Sequence, residues 1–90
     1  MKEIKKGDRV IVHYSSFLDD GTIYESTLES GPRTITVGDA DIVPGFDNAL
    51  IGMKAEEKKT VLVEAEEAYA GGHPLDGQYV IFEIKVMGIE

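Results

Sequence analysis

The sequence predicts an α+β fold, an antiparallel β-sheet with one apolar face and a single short α-helix to cover it. Three observations predict it. Most apolar residues recur with the period of two that half-buried strands require. Only the stretch from Phe46 to Met53 has helical spacing. Ninety residues supply one core, so sheet and helix must share it and residues 1–90 are expected to form a single domain.

The elements follow in chain order. Arg9 to Tyr14 is rich in β-branched residues and comes after the turn signal Gly7-Asp8. Between Phe17 and Ser26, the dipeptide Asp20-Gly21 marks a hairpin tip. Ile35 and Val37 flank Thr36 in a short strand that stops at Gly38. Phe46, Ala49, Leu50 and Met53 stand at i, i+3, i+4 and i+7, with Pro44 suited to the helix start and Gly52 to its end. Such a helix has about two turns, so packing rather than propensity must stabilise it. Thr60 to Glu64 is a further strand. Tyr79 to Met87 is the longest, with Val80, Phe82, Ile84 and Val86 on one face and Glu83 and Lys85 on the other. The segment from Ala70 to Gly77, with three Gly and one Pro, is either a plain connection or a flap beside a site.

Composition removes whole classes of function. Without cysteine there is no disulfide, thiol-redox, zinc-thiolate or cysteine-nucleophile chemistry. Nine Lys+Arg against seventeen Asp+Glu give a net charge of −8, which disfavours nucleic acid and anionic membranes as partners. Acidity chiefly serves solubility, with a preference for basic client chains as the lesser reading. No stretch approaches the ~20 apolar residues of a membrane span. Met1 to Asp8 is charged rather than signal-like, and a cytoplasmic location is the default expectation.

Nothing points to acid/base or metal catalysis. His13 and His73 have no metal-ligand spacing, and His13 beside Tyr14 reads as a hydrogen-bonding structural residue. No serine-nucleophile elbow, phosphate loop or dinucleotide fingerprint is present. Asp19-Asp20 is better explained as a turn than as a carboxylate pair, and Glu56-Glu57 and Glu64-Glu66-Glu67 as solvated faces. The seven aromatics remain: Tyr14, Phe17, Tyr24, Phe46, Tyr69, Tyr79 and Phe82. On their own they are core filling or the lining of a concave apolar site, and either reading stands.

The order of motifs is more specific. His13-Tyr14 is followed by Leu18-Asp19-Asp20-Gly21-Thr22, Tyr24-Glu25-Ser26, Val37-Gly38, Ile42-Val43-Pro44-Gly45-Phe46, Leu50-Ile51-Gly52-Met53, Glu57-Lys58-Lys59, Glu67-Ala68-Tyr69 and Ile81-Phe82-Glu83-Ile84. This succession resembles the FKBP-type peptidyl-prolyl cis–trans isomerases over nearly the whole chain, and its wording is most similar to the SlyD-like branch. The resemblance implies a twisted sheet wrapped around the helix and a proline pocket built from Tyr14, Tyr24, Phe46, Tyr69 and Phe82. It implies that Phe46 is the pocket floor and that Ile42 and Val43 form the turn whose backbone N–H binds a substrate carbonyl. Tyr14, Glu25, Tyr69 and Phe82 take the catalytic positions, with Tyr69 the hydroxyl donor at the mouth. His73 and Leu75 are matched to substrate-contacting positions of the flap. The expected partners are proline-containing peptides or unfolded segments bound by a monomer, with neither cofactor nor metal.

Three departures temper this. Glu25 stands where the family usually has Asp, and the added methylene displaces the carboxylate. Arg33 falls where tight macrocycle binders tend to carry an aromatic, so binding of tacrolimus-type macrocycles is expected to be weak. SlyD-like proteins insert a chaperone domain between the positions of Tyr69 and Phe82. Only Ala70 to Ile81 separate them here, leaving a short flap at about residues 70–78. Insert-dependent chaperone activity and the metal-linked role of a histidine tail are not expected. The resemblance implies a modest prolyl isomerase; a non-catalytic proline- or peptide-binding module and a purely structural domain are the alternatives.

Overall fold

A computed structural model describes residues 2–39, 42–69 and 73–90. Its axis is β1 (Arg9–Phe17), whose alternation turns Val10, Val12, Tyr14 and Ser16 into the interior. β2 (Ile23–Ser26) and β3 (Arg33–Thr36) both pair antiparallel with β1, end to end along the same side. β4 (Lys58–Val63) and β5 (Val80–Ile89) complete an antiparallel sheet of order β2-β1-β5-β4. One helix, α1 (Pro44–Leu50), lies against it, and a 3-10 turn spans Ala65–Glu67. This is the expected α+β arrangement, an open antiparallel sheet with one short helix. Among the described residues, no helix is long and apolar enough to cross a membrane.

The hairpin at Asp20-Gly21 forms as its chemistry requires. Gly21 takes a positive φ of 87°, its N–H bonds Leu18 O at 2.9 Å, and Thr22 N–H bonds Asp20 Oδ1 at 2.9 Å. Hydrogen bonding to the Thr22 side chain, then that backbone bond, holds the Asp20 carboxyl below its usual range. Behind the hairpin the register passes from Ser16↔Glu25 to Phe17↔Ile23, leaving Tyr24 as the extra residue of a bulge. Bulges re-aim side chains, and this one bears on the site.

Pro44 occupies the first turn of α1, and Phe46, Ala49 and Leu50 are buried as the stripe predicts. Gly45 brings the helix so close to β4 that a Cβ there would press into Val63. The helix stops at Leu50, short of Met53. Gly52 turns the chain at φ 89°, and Ile4 clasps the turn by accepting from Gly52 N–H and donating to Met53 O, at 2.9 and 2.8 Å. Met53 is buried by that turn rather than by a helical face.

Other boundaries differ for a common reason. β4 begins at Lys58 because Lys58 and Lys59 pair with Lys85 and Ile84 of β5; long-range pairing overrides two residues with little strand preference. Val80, Phe82, Ile84 and Val86 do form one buried face of β5. Asp47, in the first turn of α1, is buried, and its Oδ2 accepts Gly38 N–H at 2.7 Å, tying the helix to the loop after β3.

Candidate active site

Aromatic side chains gather in two layers. The inner layer takes Tyr14 from β1, Phe46 from α1 and Phe82 from β5. Tyr14 and Phe46 meet edge to face at 5.1 Å and Phe46 and Phe82 at 5.2 Å, while Tyr14 and Phe82 are tilted to each other at 6.0 Å. Phe46 and Phe82 have no exposed surface, and only the Tyr14 hydroxyl reaches outward to hydrogen-bond partners.

The outer layer is Tyr24, Tyr69 and His73. Tyr69 stacks on His73 at 4.4 Å, and Tyr24 meets Tyr69 edge-on at 5.6 Å. The Tyr24 hydroxyl and His73 Nε2 lie 3.4 Å apart. These rings, with Glu25, Arg33 and Ile42, line an open cleft of about 210 Å³. The bulge puts Tyr24 there, since a regular ladder would have paired it with β1.

Glu25 joins the layers. Its Oε1 accepts from the Tyr69 hydroxyl at 3.2 Å and from the Tyr14 hydroxyl at 3.5 Å, and Arg33 Nη1 donates to Tyr14 Oη at 3.3 Å. Burial, then the Glu25 charge, raises the pKa of both tyrosines, that of Tyr69 far above its usual value. Both hydroxyls therefore keep their protons throughout the neutral range. The site offers hydroxyl donors, one carboxylate acceptor, a guanidinium and aromatic walls.

The residues singled out in the sequence divide accordingly. Tyr24, Glu25, Ile42, Tyr69 and His73 converge on the cleft, while Tyr14, Phe46 and Phe82 pack behind it. Val43 is buried and caps α1 in extended conformation, its carbonyl accepting Phe46 N–H at 3.0 Å. Leu75 is buried and does not line the cleft, although its N–H bonds His73 Nδ1 at 3.0 Å. Ala70, Gly71 and Gly72 of the expected flap lie outside the described residues.

Three contributors escaped sequence reasoning. Arg33, read there only as a substitution unfavourable to macrocycles, lines the cleft and bonds Tyr14. Ser16 is fully buried and accepts Glu25 N–H at 3.0 Å, fixing the carboxylate's backbone. A hydroxyl at an inward position of β1, where alternation calls for an apolar residue, was the available signal. Buried Thr27 accepts Tyr14 N–H at 2.9 Å and meets His13 Nδ1 at 2.7 Å, giving His13 its structural role.

Comparison with known proteins agrees with this architecture. Residues 1–87 match the family described as FKBP-type peptidyl-prolyl cis-trans isomerase. The chain belongs to that family. It is 34% identical to an FK506-binding protein of Neisseria meningitidis serogroup C, covering 98% of this chain and 85% of that one. FK506-binding protein 1A of Neurospora crassa is 33% identical over 99% of this chain and 78% of its own. A probable FKBP-type 16 kDa peptidyl-prolyl cis-trans isomerase of Pseudomonas fluorescens is 33% identical over 88% of this chain, which spans 53% of that relative. Within this FKBP-type chain, the two aromatic layers and the Glu25 bridge are the arrangement whose chemistry has to be explained.

Proposed function

We propose that this chain catalyses cis–trans isomerisation of X–Pro bonds in peptides and unfolded segments, acting as a single domain in the cytoplasm and as a monomer. The observation that carries the reading is the cleft itself, where a hydroxyl, a carboxylate and aromatic walls converge in a chain of the FKBP-type family. Rotation about an X–Pro bond has a barrier of ~20 kcal/mol because the planar amide loses resonance. A twisted amide has a less polar carbonyl, so packing against the aromatic walls and Ile42 of the cleft disfavours the planar ground state more than the transition state. The Tyr69 hydroxyl is the donor that holds a substrate carbonyl, and Ile42 and Tyr24 flank the proline ring. Every ~1.4 kcal/mol of differential stabilisation is tenfold in rate, so a few modest contacts suffice.

Finer parts of the reading rest on motif wording: kinship with the SlyD-like branch and weak binding of tacrolimus-type macrocycles, with Arg33 at the cleft in place of an aromatic. One observation favours a second reading. Phe46 and Phe82 are sealed behind Tyr14, so a ligand meets the outer layer first. A proline-binding module that does not catalyse would use that layer alone. Acceleration of cis-to-trans conversion in a short X–Pro peptide, measured with and without tacrolimus, separates the two. Peptide-induced chemical-shift changes without acceleration would leave only the binding module.

A further inference from the structure

The face of the sheet opposite α1 carries an apolar row that the cleft does not use. Phe17 of β1 is in register with Ile23 of β2 on one side and Ile81 of β5 on the other, and Ile81 is in register with Leu62 of β4. Directly paired residues share a face, so Ile23, Phe17, Ile81 and Leu62 form one line across all four strands of the sheet path. Their strand neighbours Ser16, Phe82 and Val63 are buried on the other face, whereas Ile23 is 60% and Leu62 48% exposed. With strands about 4.8 Å apart, the line is about 14 Å long, the reach of roughly four extended residues.

We propose that this row docks a basic, apolar-rich segment of an unfolded client, extending the surface used at the cleft. Two features select that occupant. The first is charge. Asp19, Glu64 and Glu83 each stand two residues beyond a member of the row, and Asp20 is beside Asp19; all four are exposed. Glu83 lies in the adjacent row, between Ser15 and Thr60, while Lys58 and Lys85 are one row further and bound the footprint. The second is continuity. Ile23 ends the row and Tyr24, its neighbour on the edge strand β2, lines the cleft. A chain leaving the cleft passes over that edge onto the row. This continuity rests on the proposed function; the charge argument does not.

The test uses NMR spectra of the full chain with a proline-free peptide alternating Lys with Leu, and its counterpart with Glu in place of Lys. The Lys peptide should shift resonances of Phe17, Ile23, Leu62 and Ile81, more weakly at high salt. Substituting Leu62→Ser and Ile81→Thr together should weaken its binding about fivefold or more. Joining an X–Pro unit to the Lys segment should lower KM in the wild type alone, with the short-peptide rate equal in both proteins. Unmoved row resonances, equal binding of the Glu peptide, or an equal KM for the joined peptide in both proteins would overturn the proposal. So would row shifts that grow with protein concentration alone, which would make a second copy the occupant. If the row responds to the Lys peptide while no X–Pro bond is accelerated, the isomerase reading fails and the docking row stands.

Discussion

Replacing Tyr69 by Phe removes one oxygen from the cleft and leaves the ring that stacks on His73 at 4.4 Å. The lost hydroxyl donates to Glu25 Oε1 at 3.2 Å. A well-formed O–H···O⁻ bond is shorter, about 2.5–2.7 Å, so this one is loosely held and readily exchanged for a substrate carbonyl. Glu25 keeps the Tyr14 hydroxyl as a donor, at 3.5 Å, so folding should lose less than ~1 kcal/mol. A net hydrogen bond made only to the bent substrate is worth ~1 kcal/mol, about fivefold in rate. The expected outcome is therefore a fall of about fivefold in kcat/KM for a short X–Pro peptide, with an unchanged unfolding midpoint in urea. Exchange spectroscopy between the cis and trans peptide signals measures it without a coupling protease. A rate within twofold of the wild type would refute the assignment of Tyr69 as carbonyl donor. So would an equal loss of rate and of folding stability, because the hydroxyl would then be structural.

Other outcomes follow from the same contacts. Gly45→Ala drives a Cβ into Val63, costing ~1–3 kcal/mol of overpacking against ~1 kcal/mol of helix propensity gained; urea denaturation should show net destabilisation, and a stabilised variant would mean that α1 slides freely on β4. Ser16→Ala strips the acceptor from Glu25 N–H, and should cost ~1–3 kcal/mol and lower activity, read by melting and by the peptide assay. Tyr14 and Tyr69 have folded pKa values above the unfolded value near 10, so the native state holds protons that the unfolded chain releases. Their contribution is whole below pH ~10 and is lost as pH rises above it, so urea denaturation at a series of pH values should show stability declining there.

How far the sequence foretold this molecule depended on the range of the interaction. Local chemistry was readable: Asp20-Gly21 gave its hairpin, and Phe46, Ala49 and Leu50 their buried stripe. Strand ends were not, because Lys58 and Lys59 join β4 only through partners on β5. Motif order singled out Tyr24, Glu25, Ile42 and Tyr69, and the flap match His73, all of which line one cleft. It could not divide the aromatics into a sealed layer and an open one, which depends on ring packing in three dimensions. Arg33, Ser16 and Thr27 were missed for a related reason. Each acts by a hydrogen bond to a residue 9 to 19 positions away, and no spacing rule reaches across a hairpin of unknown register.

The central ladder joins β1 to β5, strands from opposite ends of the sequence. A ribosome releasing this chain exposes Val10, Val12 and Tyr14 some seventy residues before Phe82 and Ile84 arrive to cover them. Until then the edge of β1 that β5 will take stays unpaired, although β2 and β3 can already line the other, and the inner aromatic layer lacks one of its three rings. Such high contact order makes folding a late and collective event. A protein proposed to attend unfolded chains is thus, during its own synthesis, a long-lived unfolded chain, with a free strand edge open to aggregation.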